Sequence, residues 1–166
     1  MSKILLLGAS GYIGEAFSVE LAQRSCEAIS LSRAQVNYCD FDTLRNYIHD
    51  ELDGIDFLIN AAGYTGQSSI DQCEAEKDAT LRGNLLLPQM LSHLSLVEDF
   101  QWLQVGTGCL YQGDNGGIGY TEEDPPNFCF SSPPCNFYCG VKELAEQVLR
   151  VDPRCYIARL RIPLWI

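Results

Sequence analysis

Residues Leu5–Gly14 read LLLGASGYIG, an aliphatic run followed by Gly8, Gly11 and Gly14 at three-residue spacing. A plain strand-to-helix turn needs one glycine at most. Three of them strip the turn of side chains, so its main-chain N–H groups can come close to an anion, and the positive end of a following helix adds to the attraction. The stretch therefore reads as a phosphate-binding turn of the kind that holds a dinucleotide, on condition that a strand precedes it and a helix follows.

Both flanks meet that condition. Lys3–Leu7 is a short apolar strand, and the segment from Tyr12 to about Arg24 carries Ile13, Ala16, Phe17 and Leu21 on one helical face. Farther along, the patterns predict a strand at Ala28–Leu31 and then a helix capped by Asp42, which carries Leu44, Tyr47, Ile48 and Leu52 and ends at Gly54. Asp56–Asn60 is a buried strand, the third or the fourth depending on whether Val36–Cys39 counts. A helical region from Cys73 to Leu96 is interrupted by Gly83 and Pro88. Gln101–Val105 is another strand, residues 106–135 form a loop of functional length, Phe137–Arg150 is a helix, and Cys155–Ile162 is the last strand. Strands alternating with helices predict an α/β fold, a doubly wound parallel sheet of Rossmann type, in one domain over residues 1–166.

With 22 acidic and 11 basic residues, the chain carries a formal charge of −11. Such a surface repels nucleic acid and anionic membranes, so neither is expected as a partner; a small anion held by local main-chain dipoles stays allowed. No stretch approaches the roughly 18 apolar residues of a membrane span, and Ile4–Leu7 is too short for the apolar core of a signal peptide, which predicts a cytoplasmic location. Cysteines stand at positions 26, 39, 73, 109, 129, 135, 139 and 155, with no C-x-x-C pair, and His49 and His93 lie far from Cys129–Cys139. No metal site is expected; reduced thiols used for packing are.

The stretch GASGYIG, Gly8–Gly14, with its G-x-x-G-x-x-G spacing, resembles the extended short-chain dehydrogenase/reductase family. The resemblance recurs in order along the chain, at NAAG (Asn60–Gly63), at Asn84, at Thr107, and at the Y-x-x-x-K pair Tyr138 and Lys142. It implies a cofactor site built from Gly8, Ser10, Gly11, Tyr12, Ile13 and Gly14 together with Asn60, Ala61, Ala62 and Gly63. It also implies that Asn84 holds a water relaying protons to Lys142, and that Asp40 and Phe41 contact the adenine. In the run ISLSR, Ile29–Arg33, no carboxylate is present to take the ribose hydroxyls of NAD, and Arg33 can take the extra phosphate of NADP. NADP is the expected cofactor, with NAD as the alternative.

Tyr138 and Lys142 are four apart on a predicted helix and share a face. A phenol near its ordinary pKa of about 10 is a poor acid–base group at neutral pH. A neighbouring ammonium favours phenolate, so Lys142 is expected to lower the Tyr138 pKa and also to reach a ribose hydroxyl. Thr107 can donate a hydrogen bond to a substrate carbonyl. Pro88 lacks the N–H that would bond to the carbonyl of Asn84, so that carbonyl is expected to be released.

Val105–Phe128, with GYTG (Gly63–Gly66) and IDQCE (Ile70–Glu74), resembles one branch of the family, the dTDP-4-dehydrorhamnose reductases and the plant-type nucleotide-sugar 3,5-epimerase/4-reductases. That resemblance implies an NAD(P)H-dependent reductase acting on a 4-keto-6-deoxy sugar nucleotide, with Cys109 in the position that moves a proton in 3,5-epimerisation. The alternatives are a non-catalytic NAD(P)-binding regulatory module, or another sugar-nucleotide epimerase or dehydratase of the family. Two departures stand out. CFSSPPCN, Cys129–Asn136, is longer than the branch's usual approach to the tyrosine. The chain also ends at Ile166, where extended members continue into a lobe over the sugar nucleotide. The expectation is a sheet cut after its sixth strand, either a fragment of a longer protein whose missing C-terminal lobe closes over the substrate or a short form that binds cofactor without a complete substrate site, with a homo-oligomer as a further partner.

Overall fold

The computed structural model describes residues 3–67 and 69–161. Strands β1 (Lys3–Leu7), β2 (Glu27–Leu31), β3 (Phe57–Asn60), β4 (Gln101–Thr107) and β5 (Cys155–Leu160) form one sheet in the order β2-β1-β3-β4-β5. Every pairing is parallel. After β2 the chain crosses back over β1 to lay down β3, so the order reverses between β1 and β3. Open α/β sheets place their ligand crevice at such a switch point, at the carboxyl ends of the strands.

Helices α1 (Tyr12–Gln23), α2 (Phe41–Asn46), α3 (Lys77–Leu81), α4 (Leu87–Val97) and α5 (Phe137–Leu149) cover both faces of the sheet. Leu5 and Leu7 point into a core shared with Leu44, Leu91, Leu94 and Trp102, whereas Leu6 points the other way, onto Leu21 and Ile59. The continuous leucine run of β1 follows from this burial on both sides. A third cluster, Cys73, Leu110, Tyr111, Tyr138 and Cys139, lies around the carboxyl end of β4.

The structure corrects the sequence reading in three places. Val36–Cys39 forms no strand: Val36 N–H bonds to Ser32 O, Tyr38 N–H to Val36 O and Asp40 N–H to Asn37 O, so the segment turns back on itself instead of pairing. The run NAAG therefore closes the third strand, and the described residues hold five strands, not six. Asp40, not Asp42, caps α2, its carboxylate accepting the Thr43 N–H at 2.9 Å. The long helical region is segmented, with a 3-10 turn at Ile70–Glu74, then α3, a π turn at Arg82–Leu86 and α4. Pro88 lies in the first turn of α4, and the chain just before it widens, Leu87 N–H reaching back five residues to Arg82 O. The expected end of the last strand, Ile162, lies outside the described residues.

Candidate active site

Gly8 adopts φ +78°, and a Cβ there would stand 2.5 Å from Ala62 N. At Gly14 a Cβ would meet Gly8 O at 2.0 Å. The first and third glycines are thus demanded by the contact of the β1–α1 turn with the NAAG segment and by the seating of α1 on the turn. Gly11, the N-cap of α1, places no side chain over the helix end. Asn60 is fully buried, donates from Nδ2 to Gln104 Oε1 at 2.8 Å and accepts the Ala62 N–H at 3.2 Å, which fixes the turn after β3.

Above these turns runs a trough formed by two adjoining cavities that share Gly11, Ala61, Ala62 and Gly63. The smaller, about 170 Å³, adds Gly8, Ser10, Arg33, Tyr38 and Cys39. The larger, about 400 Å³, brings Tyr12 and Ile13 together with Asn84, Thr107, Cys109, Tyr138 and Lys142. All five residues expected to carry chemistry thus line one cavity, beside the glycine turn. Gly14 and Asn60 line neither cavity; they hold the walls. Asp40 and Phe41 also stay outside, because Asp40 is engaged as a helix cap and the Phe41 ring stacks on His93 at 5.0 Å. Tyr38 and Cys39, just before them, line the smaller cavity instead.

Each element delivers its side chain for a local reason. Thr107 ends β4 and caps the 3-10 turn Gly108–Leu110, accepting the Cys109 N–H at 3.2 Å, so Thr107 and Cys109 are locked together. Asn136 caps α5 by accepting the Cys139 N–H at 2.7 Å, which sets the helix phase that turns Tyr138 and Lys142 inward. Asn84 is clamped to the main chain of Tyr64, donating from Nδ2 to its carbonyl at 2.7 Å and accepting its N–H at 3.2 Å.

The electrostatics differ from expectation at one point. Burial pushes the Tyr138 phenol up to about 12, the thiols of Cys109, Cys139 and Cys73 push the same way, and a hydrogen bond with Thr107 pulls it back. Lys142 exerts no such pull. Its ammonium donates to Val105 O at 2.9 Å, and burial lowers its own pKa to about 8 against the raising charge of Glu146. The expected depression of the tyrosine by the lysine is therefore reversed: the phenol keeps its proton across the neutral range.

Sequence reasoning missed Tyr38, Thr65, Ile70 and Arg161 as lining residues. Thr65 and Ile70 fall in GYTG and IDQCE, which carried a signal. Tyr38 and Arg161 carried none. Arg161 is drawn in by main-chain carbonyls, donating from Nη2 to Tyr111 O at 2.5 Å and from Nε to Gly108 O at 3.3 Å. Arg33 bonds to the Tyr38 phenol and lowers its pKa against the larger, raising effect of burial.

Residues 2–163 match the family described as the RmlD substrate binding domain. The chain belongs to that family. A bifunctional dTDP-4-dehydrorhamnose 3,5-epimerase/dTDP-4-dehydrorhamnose reductase of Arabidopsis thaliana is 29% identical over 96% of this chain and 52% of its own length. Among solved structures, the L780 UDP-rhamnose synthase of Acanthamoeba polyphaga mimivirus superposes with a TM-score of 0.82 at 25% identity, over 98% of this chain and 57% of that one. A dTDP-4-dehydrorhamnose reductase of Bacillus anthracis, solved with NADP, shares the fold with a TM-score of 0.72 at 20% identity, over 95% of this chain and 52% of that one. The chain thus spans about half the length of these RmlD-family relatives. The described part holds a five-stranded parallel Rossmann sheet, and no helix in it is long and apolar enough to cross a membrane.

Proposed function

We propose that the chain is the cofactor-binding and proton-handling half of an NADPH-dependent reductase for a 4-keto-6-deoxy sugar nucleotide of the 4-dehydrorhamnose type. The observation that carries this reading is the single cavity in which Thr107, Tyr138 and Lys142 stand beside the glycine turn. The residues present fit a dinucleotide. At Gly8 and Gly14 a Cβ would strike main chain, and the cradle next to them continues to Arg33, which suits the 2′-phosphate that distinguishes NADPH. Gly8, Ser10, Gly11, Tyr12 and Ile13 would hold the pyrophosphate side, Ala61–Gly63 the wall between the cavities, and Lys142 a ribose hydroxyl. When bound, NADPH supplies the hydride.

The rest falls to this chain. Tyr138, kept protonated by burial, delivers its proton to the ketone oxygen as it becomes an alcohol. The Thr107 hydroxyl, bonded to that phenol, shares the developing charge on the same oxygen. Lys142, its ammonium anchored on Val105 O, borders the same cavity and serves to orient the cofactor through a ribose hydroxyl. Cys109 lines the same cavity, which supports a role in exchanging the acidified proton next to the ketone in a 3,5-epimerase step ahead of reduction. The reading includes a cytoplasmic location and a nucleotide sugar as the partner, with neither nucleic acid nor membrane, in keeping with a charge of −11.

Mixing the protein with NADPH and either UDP- or dTDP-4-keto-6-deoxyhexose, and following the absorbance of the reduced cofactor, tests the reading. Turnover is expected to fall about 100-fold or more in Tyr138→Phe with NADPH binding retained. Cofactor binding without turnover in the unmodified protein would instead mark a regulatory module. Cys109→Ala is expected to spare reduction of the ready-epimerised ketosugar and to block the upstream one; equal loss of both removes the epimerase step.

A further inference from the structure

Behind Lys142, on the side away from the cofactor cradle, α5 presents Glu146, which is 3% exposed. Its Oε2 accepts from Arg159 Nε of β5 at 2.8 Å. Its Oε1 is buried with no hydrogen-bond donor among the described residues, and it lies 3.0 Å from where a Cβ on Gly106 of β4 would stand. Lys142 is one helical turn back on the same face and reaches the carbonyl of the neighbouring residue, Val105. Arg159 is itself held from beyond, donating to the Tyr111 hydroxyl at 2.6 Å, and that hydroxyl donates to Asp124 O at 2.8 Å. The line Lys142, Glu146, Arg159, Tyr111 therefore runs from the larger cavity through the protein to a second hollow, whose walls include Tyr111, Glu122 and Arg159.

A buried carboxylate oxygen without a donor is costly and needs a reason. Burial pushes the Glu146 carboxyl up and the Arg159 guanidinium pulls it back, but Arg159 bonds one oxygen only, so the other has no donor to offset the buried charge beside β4, one turn from the ammonium. The titratable and charged groups that share the larger cavity with Lys142 are Tyr138 on its own helix, Cys109 from the turn after β4 and Arg161 beyond β5, with Glu143 and Glu146 following on α5 and Arg159 behind Glu146. Of the two carboxylates, Glu143 is one residue on and engaged by Gln147, whereas Glu146 lies one helical turn from Lys142 on its own face. We propose that Glu146 is a positioning residue for Lys142: its half-paired carboxylate holds the lysine charged and turned toward β4, and Arg159 sets how much of that negative charge the lysine receives. This rests on the reading of Lys142 as part of the reductase site for its meaning, but not for its test.

Two charge-removing substitutions at one ion pair should move the lysine in opposite directions. The titration midpoint of Lys142 can be followed by NMR of its labelled ε-carbon, assigned by its loss in Lys142→Met. Glu146→Gln is expected to lower the midpoint by about one pH unit or more, while Arg159→Met is expected to raise it. Both variants lose the same ion pair, so damage to packing alone would shift them alike. Shifts in the same direction, or none, overturn the proposal. If Glu146→Gln does not fold, Arg159→Met alone decides by its sign, and Glu146→Asp, which keeps the charge, should stay close to the unmodified protein. Should these shifts appear while Lys142→Met leaves reduction unchanged, the reductase reading fails and the positioning role stands.

Discussion

The two ends of the trough are made of different materials. At the β1–α1 end the walls are main chain, Gly8 against Ala62 and Gly14 against Gly8, and what matters is that no atom be added. At the α5 end the walls are buried side chains that titrate, Tyr138 and Lys142 with Glu146 behind them, and what matters is which of them carries a proton. The first kind of wall answers to volume and is indifferent to pH. The second answers to charge. A dinucleotide needs only a fixed cradle at its phosphates, whereas reduction needs a proton held in reserve at the reacting end.

The largest test of this contrast is Gly14→Ala. The new methyl would sit 2.0 Å from Gly8 O, a main-chain atom that cannot step aside as a side-chain tip can. The expected loss is about 3 kcal/mol or more, read as a lower urea midpoint at unchanged slope. A loss no greater than that of an exposed alanine substitution would break the view that this end is governed by volume.

Next in size is a pH effect confined to the other end. Lys142 titrates near 8 in the folded protein against 10.5 when exposed, a difference worth about 3 kcal/mol between its two protonation states. Between those values the unfolded chain holds the proton that the folded one has released, so the lysine's contribution to stability rises with pH from 8 to 10.5 and is constant below. Subtracting the stability profile of Lys142→Met from that of the unmodified protein should isolate this rise. A flat difference would show that the lysine is not buried as a charge.

Arg33→Ala sharpens the comparison at the far end of the cradle, the one place there where charge enters. The guanidinium sits in the smaller cavity against the Tyr38 phenol. Its removal should weaken NADPH binding about 10-fold while leaving NADH almost untouched, as cofactor fluorescence titrations would register. Equal weakening of both would assign Arg33 a purely structural part.

How far each end could be read from the chain follows from the same contrast. The glycine turn, its strand and its helix were legible because volume constraints act on neighbours in sequence and leave a spacing. So were Thr107, Tyr138 and Lys142 as members of one site. The sign of the tyrosine's shift was not, because it depends on where an ammonium points. A four-residue spacing puts Lys142 on the face of Tyr138, but Val105 O captures its charge and three thiols crowd the phenol. Val36–Cys39 looked like a strand by composition alone, since the turn bonds that fold it back come from main chain common to every sequence. Tyr38 carried no signal of its own: its ring packs in the core and its hydroxyl meets Arg33 only once the segment folds back.

The smallest expected effect separates a cap from a contact. Asp40 was expected beside the adenine, yet its carboxylate accepts the Thr43 N–H at 2.9 Å and opens α2. The Thr43 hydrogen bonds hold that carboxylate below its ordinary pKa, and the group is exposed at the helix end. Asp40→Ala should therefore lower the urea midpoint slightly, as the loss of a helix cap does. Asn at the same position should recover most of that, since its side-chain oxygen can accept the same N–H. Neither change should alter the affinity for NADPH or NADH, because the trough is walled at that point by Tyr38 and Cys39 and the helix dipole reaches only its own first turn. A drop in affinity for both cofactors in Asp40→Ala, restored by Asp40→Asn, would return Asp40 to the binding site and mean that the cradle extends past Cys39.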